Sequence, residues 1–197
     1  MCSIISKHFS LHPLTENMYA AIASDQGAAI GNSGLIDLGG QIIVFDTFLT
    51  PQAAADMRKA SEELFGRAPD FVINSHYHND HIWGNQVFAE VSHILSTIRT
   101  RELIATAGKE EFDWYSQNST QRLETIRAEL QIAENEEQRN EISFWIPYYE
   151  GLVEAFPTLK VCMPDLVFDE RMEIHARKDK AERSEEHTSE LQSRQSI

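Results

Sequence analysis

Residues 71–85 read FVINSHYHNDHIWGN, and three histidines and an aspartate fall between His76 and His81. The opening "FVINS" is a short apolar run with the composition of a buried strand. On an extended segment, residues i and i+2 point the same way. His76 and His78 can therefore reach one cation together, while Tyr77 points elsewhere and can pack. If the chain turns after His78, Asp80 and His81 face a second cation beside the first. Imidazole and carboxylate suit Zn2+, and also Fe or Mn. Such an ion lowers the pKa of bound water from 15.7 to roughly 7, and two ions about 3.5–4 Å apart can share the hydroxide. Asp80 is the natural residue to orient that nucleophile and to pass protons to a leaving group.

Upstream, MYAAIAS (Met18 to Ser24) and GLIDLGGQIIVFDT (Gly34 to Thr47) carry aliphatic strand formers, with a hairpin signal at Gly39-Gly40. In TPQAAADMRKASEELFG, Thr50 is placed as an N-cap, Pro51 at the first helical position and Gly66 as the stop. Ala53, Met57, Ala60 and Leu64 recur between them at helical spacing. Strand, helix, strand makes a βαβ unit, whose strands at 42–46 and 71–74 are expected to be parallel with a right-handed crossover. In such sheets ligands bind beyond the carboxyl ends of the strands. Asp46 and His76 both sit at such ends. Asp46 is thus a candidate either to hold a ligating histidine from behind, fixing its ring, or simply to cap the loop.

Downstream, VSHIL (Val91 to Leu95) reads as a further strand. From about Thr97 to Phe156 glycine is nearly absent and two helical stripes appear. One is Leu123, Ile126, Leu130 and Ala133; the other is Ile142, Trp145, Tyr149, Leu152 and Phe156. The polar ENEEQRN separates them, so a helical insertion is expected, packed on the sheet or serving as a lid or a homo-oligomer surface. KVCMPDLVFDERMEIHA reads as returning strands. His8, His12, His93 and His175 are isolated and read as packed or surface residues.

The chain has 197 residues with 42% hydrophobic content, enough for one domain with a core. Lysine and arginine total 17 against 31 acidic residues, a net charge of -14, which disfavours nucleic acid as a partner. The two cysteines, Cys2 and Cys162, form no metal knuckle and no disulfide framework. Neither an export signal nor a membrane span is legible, so a cytoplasmic protein acting on a small molecule is expected, with no membrane partner.

The stretch VINSHYHNDHIWGN, preceded by GLIDLGGQIIVFDT, resembles the signature of the metallo-β-lactamase-fold superfamily of hydrolases. The likeness runs from Met18 to Leu95 and more loosely to about His175. It implies an α/β fold, the αββα sandwich of two mixed sheets with outer helices. It also implies His76 and His78 as ligands of a first metal, and Asp80 and His81 as ligands of a second. The implied function is a zinc-dependent hydrolase using metal-activated hydroxide on a small ester, lactam, thioester or related substrate. The alternatives are an iron-dependent redox enzyme on the same fold and a non-catalytic metal-binding or interaction protein. The family's later ligands, beginning with a histidine in a "GHT"-like turn, have no convincing counterpart here. His187-Thr188-Ser189 imitates that turn, but it lies in RSEEHTSELQS, which resembles a translated sequencing-library adapter. The expectation is therefore an incomplete sandwich over residues 1–181, the N-terminal half plus a helical insertion at about 97–156. Residues 182–197 would form a non-native tail, and metal binding and turnover would be weak.

Overall fold

The computed structural model describes residues 6–176. Its strands are β1 (Phe9–Pro13), β2 (Met18–Ala23), β3 (Ser33–Asp37), β4 (Ile42–Phe45), β5 (Phe71–Ile73), β6 (His93–Thr97) and β7 (Leu166–Phe168). They form one seven-stranded sheet in sequence order. The first four strands make an antiparallel meander. The last three join it in parallel, Val44 facing Val72 and Val72 facing Ile94.

Helix α1 (Pro51–Phe65) links β4 to β5. The Thr50 hydroxyl accepts the Ala53 N–H at 3.3 Å, Pro51 opens the helix, and Gly66 closes it at φ 77° with its N–H on the Glu62 carbonyl. Its Ala53, Ala54 and Met57 pack on one face of the sheet, against Leu35, Ile42, Val44, Val72 and Ile94. The opposite face leaves Met18, Ile22 and Phe45 exposed. The period-2 alternation of strand side chains makes this split. An apolar sheet face open to water is the geometry of one sheet of a two-sheet sandwich.

After β5 come the single turn α2 (Asn79–Ile82) and a 3-10 turn (Trp83–Val87). After β6 come α3 (Ile98–Ala105), α4 (Ala107–Ile132) and α5 (Glu136–Ala155). Helices α4 and α5 pair as a hairpin whose buried Leu123, Ile126, Tyr149 and Leu152 build a second core around Trp83. The histidine-rich loop therefore lies between two separate cores.

Three sequence expectations need correction. The strand placed at Val91 to Leu95 starts at His93, because Val91 and Ser92 close a turn onto Phe88 and the Ser92 hydroxyl donates to the Pro69 carbonyl. Trp145, placed in a buried stripe, is 49% exposed, since the hairpin's apolar face turns toward Tyr148 and Tyr149 instead. The returning segment gives a single strand, β7, among the described residues. Strand β1 was not anticipated: FSLHP alternates over too few residues to stand out, and pairing with β2 makes it a strand. His8, by contrast, is a packed residue. Cys162 carries no disulfide. Residues 1–5 and 177–197, which include Cys2 and His187, lie outside the described residues.

Candidate functional site

The site begins where strand geometry stops. Strand β4 ends at Phe45, and Asp46 follows at φ 64°, a left-handed backbone that aspartate tolerates better than most residues. That turn aims the buried Asp46 carboxylate across at the end of β5. There Oδ1 accepts the Ser75 N–H at 2.7 Å, and Oδ2 accepts the Ser75 hydroxyl at 2.7 Å. Asp46 Oδ2 also lies 2.8 Å from His81 Nδ1.

A tautomer assignment follows from this network. The Ser75 proton is committed to Asp46, so the Ser75 oxygen, 2.9 Å from His76 Nδ1, accepts the Nδ1–H of that ring. His76 Nε2 is then left with its lone pair, and it lies 3.0 Å from His78 Nδ1. Asp46 thus orients His81 directly and His76 through Ser75, the arrangement by which ligating histidines are usually held.

The histidines are gathered together. The His76 ring lies 4.1 Å from that of His81 and 4.7 Å from that of His78, centroid to centroid. The chain turns directly after His78, at α2, and this brings Asp80 Oδ2 to 3.3 Å from His81 Nε2. Gly31, from the β2–β3 connection, approaches the pair so closely that a Cβ there would lie 2.9 Å from Asp80 Oδ2. Tyr77 packs away into the second core.

Electrostatics separates the rings. Burial lowers the pKa of His76, and the neighbouring His81 and His78 lower it further. Burial also acts to lower His81, but its hydrogen bonds to Asp46 and Asp80 and their charges outweigh this and push it up to about 9. For Asp80, burial pushes the pKa up, and the hydrogen bond and charge of His81 more than reverse it, leaving it below its ordinary value. Free of metal, His81 is protonated at neutral pH, and a cation must displace that proton to bind.

The donor set fits a transition-metal ion in kind and in spacing. Zinc sits about 2.0–2.1 Å from imidazole nitrogen and 2.0–2.2 Å from carboxylate oxygen, so two donor atoms about 3 Å apart can share one ion. His76 Nε2 with His78 Nδ1, and Asp80 Oδ2 with His81 Nε2, are two such pairs. Each pair supplies two donors, and among the described residues no group of three or more His, Cys, Asp or Glu is arranged to hold a metal ion. The arrangement is therefore two donor pairs side by side.

Several supporting residues escaped the sequence reading. The His81 carbonyl accepts from the Thr47 N–H at 2.9 Å, the Thr47 hydroxyl at 3.2 Å and Asn74 Nδ2 at 3.2 Å. Asn85 exchanges amide hydrogen bonds with Asn74 and also donates to the Cys162 carbonyl at 3.1 Å. Asn74, Ser75 and Asn85 stand inside the quoted stretch, and the available signal was the polar character of Asn74 and Asn85 beside apolar neighbours, both of them buried. Glu111 and Tyr148, which both bind Asn79, arrive from α4 and α5 with no local signal at all.

The sequence matches the family described as the metallo-beta-lactamase superfamily over residues 27–158. No curated protein matches it. Among solved structures, it is similar to a metallo-beta-lactamase from Hirschia baltica, with TM-score 0.46 and 17% identity over 52% of this chain and 49% of that one. A metallo-beta-lactamase from Pseudomonas aeruginosa in a mono-zinc form gives TM-score 0.45 and 13% identity over 51% and 46%. One from Erythrobacter litoralis gives 0.46 and 17% over 53% and 48%. The chain spans about half the length of these proteins. No helix among the described residues is long and apolar enough to cross a membrane.

Proposed function

This chain belongs to the metallo-beta-lactamase superfamily, and on that premise we propose that it is a zinc-dependent hydrolase of a small ester, lactam or thioester. One observation carries the reading: two donor pairs, with donor atoms 3.0 and 3.3 Å apart, at the carboxyl edge of a parallel βαβ unit, with His81 and, through Ser75, His76 held from behind by Asp46. His76 and His78 would hold one ion, and Asp80 and His81 the other. Each set would need at least one further donor to make a complete site.

When bound, the metal supplies Lewis acidity, bringing water within reach of ionisation at neutral pH and polarising the bond to be cut. The chain's own residues do the rest. Asp46 and Ser75 fix which nitrogen His76 and His81 present. Asp80, its pKa held low, stays ionised and can accept a proton from water and return it to the leaving group. Thr47, Asn74 and Asn85 keep the turn carrying Asp80 and His81 from drifting.

The test is zinc content by mass spectrometry, together with hydrolysis of a chromogenic ester and a thioester, in the full chain and in Asp80→Ala. The variant should hold less zinc, and the weak turnover expected of an incomplete donor set should fall further. Equal zinc and equal turnover in the two proteins would refute the assignment.

A further inference from the structure

The turn that carries Asp80 and His81 cannot hold itself. Helix α2 has four residues, and the residue preceding it, His78, makes no side-chain capping bond. A single helical turn fixes many torsions for little hydrogen bonding, so its geometry must come from tertiary contacts. One end is secured by the bonds to the His81 carbonyl. The other end is secured by Asn79, which is 5% exposed and spends its side-chain amide on two different helices. Asn79 Nδ2 donates to Glu111 Oε1 of α4 at 3.1 Å and to the Tyr148 hydroxyl of α5 at 2.9 Å. A carboxylate can only accept, which fixes the orientation of the Asn79 amide.

Glu111 is an unusual residue for a merely structural position. Its Oε2 is buried with no hydrogen-bond partner. Burial raises its pKa, and the Asp80 charge raises it further. A buried oxygen without a partner is costly, and an apolar side chain on α4 would avoid that cost but would leave Asn79 without one of its two acceptors.

We propose that Glu111 is a positioning residue of the candidate site: from the helical hairpin it clamps Asn79 and so holds the Asp80–His81 pair in register with His76 and His78. This rests on the reading of the site as a metal centre. It makes the hairpin a working part of that centre, sensitive to whatever shifts α4 against the sheet. Because the residue acts through its Oε1 acceptor, glutamine should replace it and alanine should not.

The deciding measurement is amide hydrogen exchange on the metal-free full chain, comparing wild type, Glu111→Ala and Glu111→Gln. The amides of His81 and Trp83 close the α2 turn onto His78 and Asn79. In Glu111→Ala they should exchange about tenfold faster than in wild type, while α1 amides are unchanged. In Glu111→Gln they should stay close to wild type. No acceleration in the alanine variant, equal acceleration throughout α1 and α4, or a glutamine variant as fast as alanine would each overturn the proposal. A parallel Co2+ titration, read by its visible absorption, tests the metal reading separately. Glu111→Ala should bind about tenfold more weakly with an altered spectrum. A wild-type chain that takes up no Co2+ would sink the metal reading and leave the exchange result to judge the clamp.

Discussion

At the sheet edge, backbone and side chains are tied by short polar contacts with almost no slack. In the helical hairpin, apolar surfaces do most of the holding and the charged groups largely face water. The edge shows its tightness at Gly84, where a Cβ would sit 2.0 Å from the Thr47 carbonyl and 2.5 Å from the Ala54 Cβ. Thr47, Asn74 and Asn85, all buried, fill the remaining space with mutually satisfied hydrogen bonds. The hairpin instead buries Leu123 and Ile126 of α4 together with Leu152 of α5. Its exposed ion pairs, such as Arg127–Glu150 at 2.6 Å, are of a kind that adds little. A polar network in a dry setting specifies one geometry because each lost partner is expensive. An apolar stripe specifies proximity and leaves the exact register to shape. The chain places its candidate chemistry in the first kind of region and reaches it from the second through Asn79.

The sharpest way to break this contrast is Gly84→Ala. The obstruction is backbone, which cannot swing aside, so the loss should exceed the roughly 1–3 kcal/mol of ordinary overpacking. Urea unfolding reads this directly, and a midpoint equal to wild type would show that the edge has slack after all. Leu152→Ala tests the hairpin. Leu152 is fully buried, and truncation should cost about 2–5 kcal/mol, less if the helices close on the cavity. A loss well below that range would mean that polar contacts share the load in the hairpin.

The smallest effect lies at the seam between the regions. His8 Nδ1 accepts the Ala28 N–H at 3.2 Å, and Ala28 lies where a Cβ on Gly151 of α5 would meet it at 2.4 Å. Burial lowers the pKa of His8, with Asp56 opposing. The folded pKa lies below the unfolded value of about 6.5, so the unfolded chain binds the proton more readily. The contribution of His8 to stability is therefore complete above about pH 6.5 and falls away as pH drops through the lowered folded value. Thermal unfolding of wild type and His8→Gln between pH 5 and 8 should show a steeper acid-side decline in the wild type. Parallel curves would remove His8 from the seam.

Much of the α/β framework was legible in local sequence because its signals are local. Thr50, Pro51 and Gly66 mark the ends of α1 by capping chemistry, and Gly39-Gly40 marks the β3–β4 turn, with both glycines at positive φ. The candidate donors were legible because His76, His78, Asp80 and His81 stand within six positions. The start of β6 was not, because bonds from Ser92 to Pro69 and from His93 to Asp70 set it across the fold. Nor was the role of Ser75, which depends on the left-handed turn at Asp46.

The sequence by itself determined which side chains are available for the chemistry, where the helix and hairpin turn flanking them begin and end, and that they follow a buried strand. Those properties follow from torsional preferences and spacing within a few residues. Only the tertiary structure decided which ring nitrogen each histidine presents, that Asp46 governs two of the rings, and that Glu111 and Tyr148 reach the site from 32 and 69 positions away along the chain. Those properties depend on hydrogen bonds between distant segments, and such partners are selected by the packing of the two cores rather than by any neighbour in sequence.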